Sequence, residues 1–199
     1  MVSRWAFEAL VVHAYRENEY EKHFVEFDDV IRHTAWRRDF WLEEICNTSR
    51  HESWTDREWE RAAIELRAWS IDVPKEGAEN ENEWKAAYNT AYHKAFMAKD
   101  DVKARLIDKG VLRQLKEDNY NNEIAEWVLQ EDRTVRILNL EQGLSPTASP
   151  IHHHTRDVAG WNAPYYSAFK KILGQGMKTP FYNVLVLWLM TVIAWCVLR

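Results

Sequence analysis

Phe181–Leu198 reads FYNVLVLWLMTVIAWCVL, eighteen residues without a charge. Asn183, Thr191 and Cys196 are its small polar or polarisable side chains. At helical rise the stretch extends about 27 Å, close to the ~30 Å hydrocarbon thickness of a bilayer. Pro180 precedes it and suits a first helical turn, and Arg199 follows it as an interfacial anchor. Tyr182 and Trp195 stand near its two ends, where aromatic side chains favour the membrane–water boundary. Apolar residues run all round the helix with no polar face, the pattern of a membrane span rather than of an amphipathic surface helix.

The remainder of the chain is of another character. Mean hydropathy over all 199 residues is −0.53 even with this tail included, so the body is strongly polar. The formal net charge is −5 and the Lys and Arg residues are interleaved with acids, which argues against a nucleic-acid partner. The two cysteines, Cys46 and Cys196, supply no disulfide framework, because one would lie in lipid. No cleavable signal peptide is legible at Met1, where a basic region followed by a clean apolar run is missing.

Prolines and glycines punctuate the body into helices. A first helix, Arg4 to about Tyr15, opens after Ser3. Its run WAFEALVV is apolar except for Glu8, as in a segment leaving or lying on a membrane. From Asn18 a second helix carries Tyr20, Phe24, Phe27 and Ile31 on one face, continued by Trp36, Phe40, Trp41 and Ile45. Thr55 and Glu58 have the spacing of a capping box, ahead of Trp59, Ala62, Ala63, Leu66 and Trp69. Trp84 to Leu106 forms a long helix ending at Gly110, and Tyr120, Ile124, Trp127 and Val128 mark another. Arg133–Leu140 fits either a strand or a helical turn. A last short helix is expected over Tyr165–Leu173, with Tyr165, Tyr166, Phe169 and Ile172 at a membrane interface and its lysines reaching head groups. The expectation is an all-α chain: a helical bundle domain with a single C-terminal transmembrane helix. Its parts are a membrane-interfacial helix (1–15), a polar helical domain (16–164), an interfacial helix and linker (165–180) and the span (181–199).

Constellations for chemistry fail one by one. His152, His153 and His154 cannot all face one metal from a helix or strand, and read as a solvated loop. His51-Glu52 lacks the second histidine of a zinc protease. Gly174-Gln-Gly176-Met-Lys178-Thr179 lacks the spacing and the preceding strand of a phosphate loop, and reads as a flexible link. The carboxylate runs Glu17, Glu19, Glu21 and Glu79, Glu81, Glu83 read as solvated faces, and the tryptophans as core. The sequence therefore names no catalytic, cofactor-binding or metal residue and gives no sign of an enzyme.

Both ends of the chain resemble one family. Ser3-Arg4-Trp5-Ala6-Phe7-Glu8-Ala9-Leu10 resembles the stretch that follows the fifth membrane helix in White-type (ABCG-like) ABC-2 exporters whose ATPase and permease share one chain. Glu19-Tyr20-Glu21-Lys22-His23-Phe24 is similar to what comes next there. Ala163-Pro164-Tyr165-Tyr166, Lys170-Lys171-Ile172, Phe181-Tyr182-Asn183 and Leu187-Trp188-Leu189-Met190-Thr191 resemble the approach to that family's final helix and the helix itself. The match covers about a third of the chain, at its two ends.

The resemblance implies the C-terminal part of an exporter: an outer-facing domain between the fifth and sixth membrane helices, plus the sixth, in the inner membrane. It implies a domain that gates, caps or docks a partner. The implied partners are the bilayer, the transporter's other membrane helices and a second copy. The ATPase would lie upstream of this chain, which would then be a truncated reading frame, a fragment or one part of a split gene, and no cofactor is expected here. On this reading Arg4–Val12 and Tyr165–Leu173 both lie near one membrane face. The alternative is a tail-anchored protein with a helical cytoplasmic interaction domain. It is favoured by Lys170, Lys171 and Lys178 before the span against Arg199 alone after it. There the N-terminal run has no such obligation and should fold into the soluble core or fray.

Overall fold

The computed structural model describes residues 2–48, 54–75, 77–132, 134–140, 143–153, 163–172 and 175–199. Helix dominates. In chain order the helices are α1 (Val2–Arg16), α2 (Val25–Trp36), α3 (Leu42–Thr48), α4 (Thr55–Ala68), α5 (Glu81–Asp108), α6 (Leu112–Asn119), α7 (Asn122–Leu129) and α8 (Thr179–Leu198). Two antiparallel hairpins interrupt them: β1 (Ile137–Leu140) with β2 (Gly143–Pro146), and β3 (Phe169–Ile172) with β4 (Gln175–Lys178). The chain gathers into two compact units. One holds Met1–His23, Arg113–Asp132 and Ala148–Arg199, and the other Phe24–Leu112 and Arg133–Thr147. Residues 16–164, expected as one polar domain, fall partly in each unit.

In the unit containing α2 to α5, the buried face is built from tryptophan. Trp41 meets Trp59 edge-on at 5.1 Å, and Trp59 meets Trp84 at 5.0 Å, as aromatic quadrupoles favour. Leu42, Ile45, Ala62, Ala63, Leu66, Ala87 and Tyr88 fill the space around them. Buried indole N–H groups find acceptors: Trp84 donates to the Lys75 carbonyl (2.9 Å) and Trp36 to that of Arg136 (3.2 Å). Between α2 and α3, Arg37–Trp41 winds as a π turn, in which the Leu42 N–H donates to the Arg37 carbonyl five residues back. The extra residue rotates the helix face. Trp41 and Arg37 turn inward, while Phe40, placed by spacing on the apolar face, is left exposed. The long helix α5 buries Trp84, Ala87, Tyr88, Ala91 and Ala95 but not its later turns. Arg133–Leu140, open between strand and helix in the sequence, contributes β1.

In the other unit, α1 packs on α7 and on α8. Val11, Val12 and Tyr15 meet Ala125, Val128, Ile151 and Tyr166. Asn18 ends α1 rather than opening a long helix. Its amide donates to the Ala14 and Tyr15 carbonyls, and its oxygen accepts from the N–H groups of Tyr20 and Glu21. Asn121 caps α7 by accepting from the Ile124 N–H. The helix expected over Tyr165–Leu173 is corrected, as far as Ile172, to a turn and strand β3; 173–174 lie outside the described residues. Tyr166 sits at φ +68°, a left-handed conformation that no helix interior accepts, and Lys170 then points inward alone while its strand neighbours do not. Gln175–Lys178, expected as a flexible link, is strand β4. Helix α8 begins at Thr179 with Pro180 in its first turn, and it is the one helix among the described residues long and apolar enough to cross a membrane.

Candidate functional site

Glu8 is the single charge in the apolar run of α1, and it lies almost wholly buried. Helical spacing puts it on the side of α1 that faces α8, one turn from Trp5. Strand β3 brings Lys170 to the same point. Its ammonium donates to Glu8 Oε2 at 2.6 Å, with side-chain exposures of 3% and 1%. Asn183, in the first turns of α8, completes the group. Its amide nitrogen donates to Glu8 Oε2 (2.9 Å) and to the Trp5 carbonyl (3.0 Å), and its oxygen accepts from Lys170 at 3.4 Å. The backbone N–H of Tyr166 donates to the other carboxylate oxygen at 3.0 Å. Lys170 Nζ also lies 4.7 Å from the Trp5 ring centre and 5.5 Å from that of Tyr182, an aromatic lining that favours a cation.

Each element depends on the others at this point. A buried carboxylate without a cation, or a buried ammonium without an anion, costs several kcal/mol. Burial pushes the Lys170 ammonium below its ordinary range, and Glu8 works against that shift. Lys170, expected to reach head groups, is instead held inside by Glu8. Asn183, which the sequence shows only as a polar interruption of the span, is fully buried and hydrogen-bonded. The segment before β3 is fastened to α1 as well. The Tyr165 hydroxyl donates to the Arg4 carbonyl (3.4 Å), and the Arg4 guanidinium lies over the Tyr165 ring at 5.1 Å. Where β4 enters α8, the Thr179 N–H donates to the Ala168 carbonyl at 3.0 Å, and at the surface Lys178 pairs with Glu17 at 2.9 Å.

No family model, curated protein or solved structure matches the chain.

A second charged cluster belongs to the unit of α2 to α5. Arg37, from the π turn, grips Glu65 through two nitrogens at 3.1 and 2.9 Å and approaches Glu58 at 3.4 Å. Glu58 also accepts from Trp41 Nε1 (2.9 Å) and Arg61 (2.5 Å), and His33 meets Glu65 at 2.9 Å. Burial alone would raise the Glu65 carboxyl; Arg37 and His33 outweigh it and hold it well below the usual carboxylate range. Burial raises the Tyr88 phenol well above its ordinary value, and its hydroxyl has no hydrogen-bond partner among the described residues. Glu58 thus serves this core, its carboxylate turned inward from the capping position that Thr55 suggested.

His152 and His153 are buried rather than solvated, with Tyr15 Oη 3.3 Å from His152 Nε2; His154 lies outside the described residues, as do His51-Glu52 and Gly174. Glu21 is buried, unlike Glu17 and Glu19 of the same run. Among the described residues no three His, Cys, Asp or Glu side chains come together to hold a metal ion. One signal pointed to the Glu8 cluster in advance: a lone carboxylate in a run otherwise apolar. Its partner at 170 carried no such mark.

Proposed function

We propose that this chain is the C-terminal part of the permease of an ABC-2 type exporter, with α8 as its last membrane span. Its helical body is an extracytoplasmic domain with a non-catalytic role in gating, capping or partner docking. One observation carries the reading. Arg4–Val12 and Tyr165–Ile172 meet at the base of α8, where Glu8, Lys170 and Asn183 lock them together. An exporter's outer domain leaves one span and returns to the next at a single membrane face, and this junction supplies that geometry. In a tail-anchored protein the N-terminal run has no reason to be tied to the anchor by a buried ion pair. The partners on this reading are lipid, the transporter's other helices and a second copy.

Sidedness tests it. A cysteine is introduced at the exposed Glu79, with Cys46 and Cys196 replaced, in cells expressing the chain with its upstream gene. A membrane-impermeant maleimide should modify it once any outer membrane is opened. Protection until the inner membrane is breached would overturn the exporter reading in favour of a cytoplasmic, tail-anchored domain.

A further inference from the structure

Helices α1 and α8 run antiparallel. Glu17, just past the end of α1, pairs with Lys178 just before α8; Glu8 meets Asn183; and Trp5 packs with Tyr182 and Val186. This register fixes the depth of every residue on α1 relative to the apolar helix. Phe7 and Leu10 lie level with the first two turns of α8, within about 10 Å of its start at 1.5 Å per residue. Both are open to the surroundings: Phe7 is 43% exposed and Leu10 69%. Trp127 of α7, 45% exposed, stands against Phe7 with ring centres 5.6 Å apart. Phe181, Val184 and Leu185 are likewise exposed in the first two turns of α8.

We propose that Phe7, Leu10 and Trp127 form a second membrane contact, seated in the headgroup–acyl boundary of the leaflet that α8 enters. The inference rests on the reading that α8 crosses a bilayer. Given that, the register leaves α1 no other depth. The composition fits the place. Trp is enriched at this boundary, and apolar side chains such as Phe7 and Leu10 are accepted on its acyl side. Two of the charges nearest α8 neutralise each other inside the protein, Glu8 and Lys170, and Arg4 lies over the Tyr165 ring with a stem long enough to reach head groups; Glu126, exposed beside Trp127, must lie on the headgroup side. The two contacts together hold the unit at a fixed tilt to the membrane, which one helix alone does not do.

The test uses the full chain, with Cys46 and Cys196 replaced, reconstituted in phosphatidylcholine–phosphatidylglycerol vesicles. Single cysteines at Leu10, at Leu189 on α8 and at Asp101 on the exposed part of α5 carry an environment-sensitive fluorophore. The Leu10 label is expected to lose most of its emission to lipids spin-labelled near the head group and little to aqueous iodide. The Leu189 label should be quenched by lipids spin-labelled deep in the chain, and the Asp101 label by iodide. A Leu10 label quenched by iodide like Asp101, while Leu189 stays lipid-quenched, overturns the second contact and leaves the span intact. A Leu10 label shielded from both quenchers means that protein covers the patch, which also overturns it. Loss of lipid quenching at Leu189 removes the span reading and this inference together.

Discussion

Gly143 approaches Glu58 so closely that a methyl group placed on its Cα would stand 2.5 Å from a carboxylate oxygen. Its φ of +135° is also one that L side chains rarely adopt. The start of β2 therefore rests against the buried charge cluster of α4, and only the absence of a side chain permits it. Gly143→Ala is expected to destabilise this unit by about 1–3 kcal/mol, through overpacking added to backbone strain. Thermal unfolding of the purified chain in detergent, followed by tryptophan circular dichroism in the near ultraviolet, checks it. A midpoint equal to that of the parent would mean that β2 does not rest on Glu58.

The Arg37–Glu65 pair carries an acid dependence with a definite sign. Arg37 holds the Glu65 carboxyl well below the value of about 4.3 that it has in an unfolded chain. Above that value the carboxylate is ionised in both states and the full stabilisation is present. As pH falls below it, the unfolded state takes up a proton that the native state still refuses, so stability declines toward the lowered native value. Glu65→Gln should therefore be less stable than the parent at pH 7, with a difference that shrinks toward pH 3. Urea midpoints at the two pH values give the answer. A difference constant with pH would show that ionised Glu65 contributes nothing.

The sequence made some of this legible for physical reasons. An uncharged eighteen-residue run has few fates, so α8 could be read directly. Tryptophans at helical spacing in α4 and α5 packed as core because apolar periodicity follows burial. Other features left no periodic trace. Strands of four residues, such as Phe169–Ile172, are too short to display alternation, and the lysines in that strand suggested a membrane surface. The π turn at Arg37–Trp41 adds one residue to a helix and so shifts the face that spacing predicts, putting Phe40 outside. Lys170 meets Glu8 across 162 positions. A buried pair between such distant residues has no local signature, and each partner taken singly has an ordinary surface explanation.

For α8 itself, the expected outcome concerns insertion. Leu187 and Leu189 lie near the middle of the helix. An arginine near the centre of a span costs about 2.5–3.5 kcal/mol in insertion. Leu187→Arg combined with Leu189→Arg should therefore release the chain from membranes on carbonate extraction, where the parent stays in the pellet. Equal retention of the double variant and the parent would rule α8 out as the membrane anchor.

Charge-removing substitutions of Glu8 and Lys170 separate a pairing from a mere packing role at the base of α8. Glu8→Gln leaves the Lys170 ammonium buried beside Trp5 and Tyr182 without its anion. Lys170→Met leaves Glu8 with its hydrogen bonds from Asn183 and Tyr166 but no cation. Removing one member of a buried pair typically costs about 3–5 kcal/mol, whereas replacing both leaves no uncompensated charge. The double variant should thus be more stable than either single one, and a double-mutant cycle on unfolding in detergent should give a coupling well outside additivity. Alkaline pH adds a second readout. Burial already pushes Lys170 below its ordinary range, and in Glu8→Gln nothing at Glu8's position opposes it. A cation whose native value lies below its unfolded value of about 10.4 is lost from the native state first, so stability rises with pH between the two values. The Glu8→Gln chain should accordingly recover part of its deficit as pH climbs toward 10, while Lys170→Met, with no ammonium to lose, should not. Equal deficits at every pH, with additive single effects, would mean that Glu8 and Lys170 merely occupy neighbouring space.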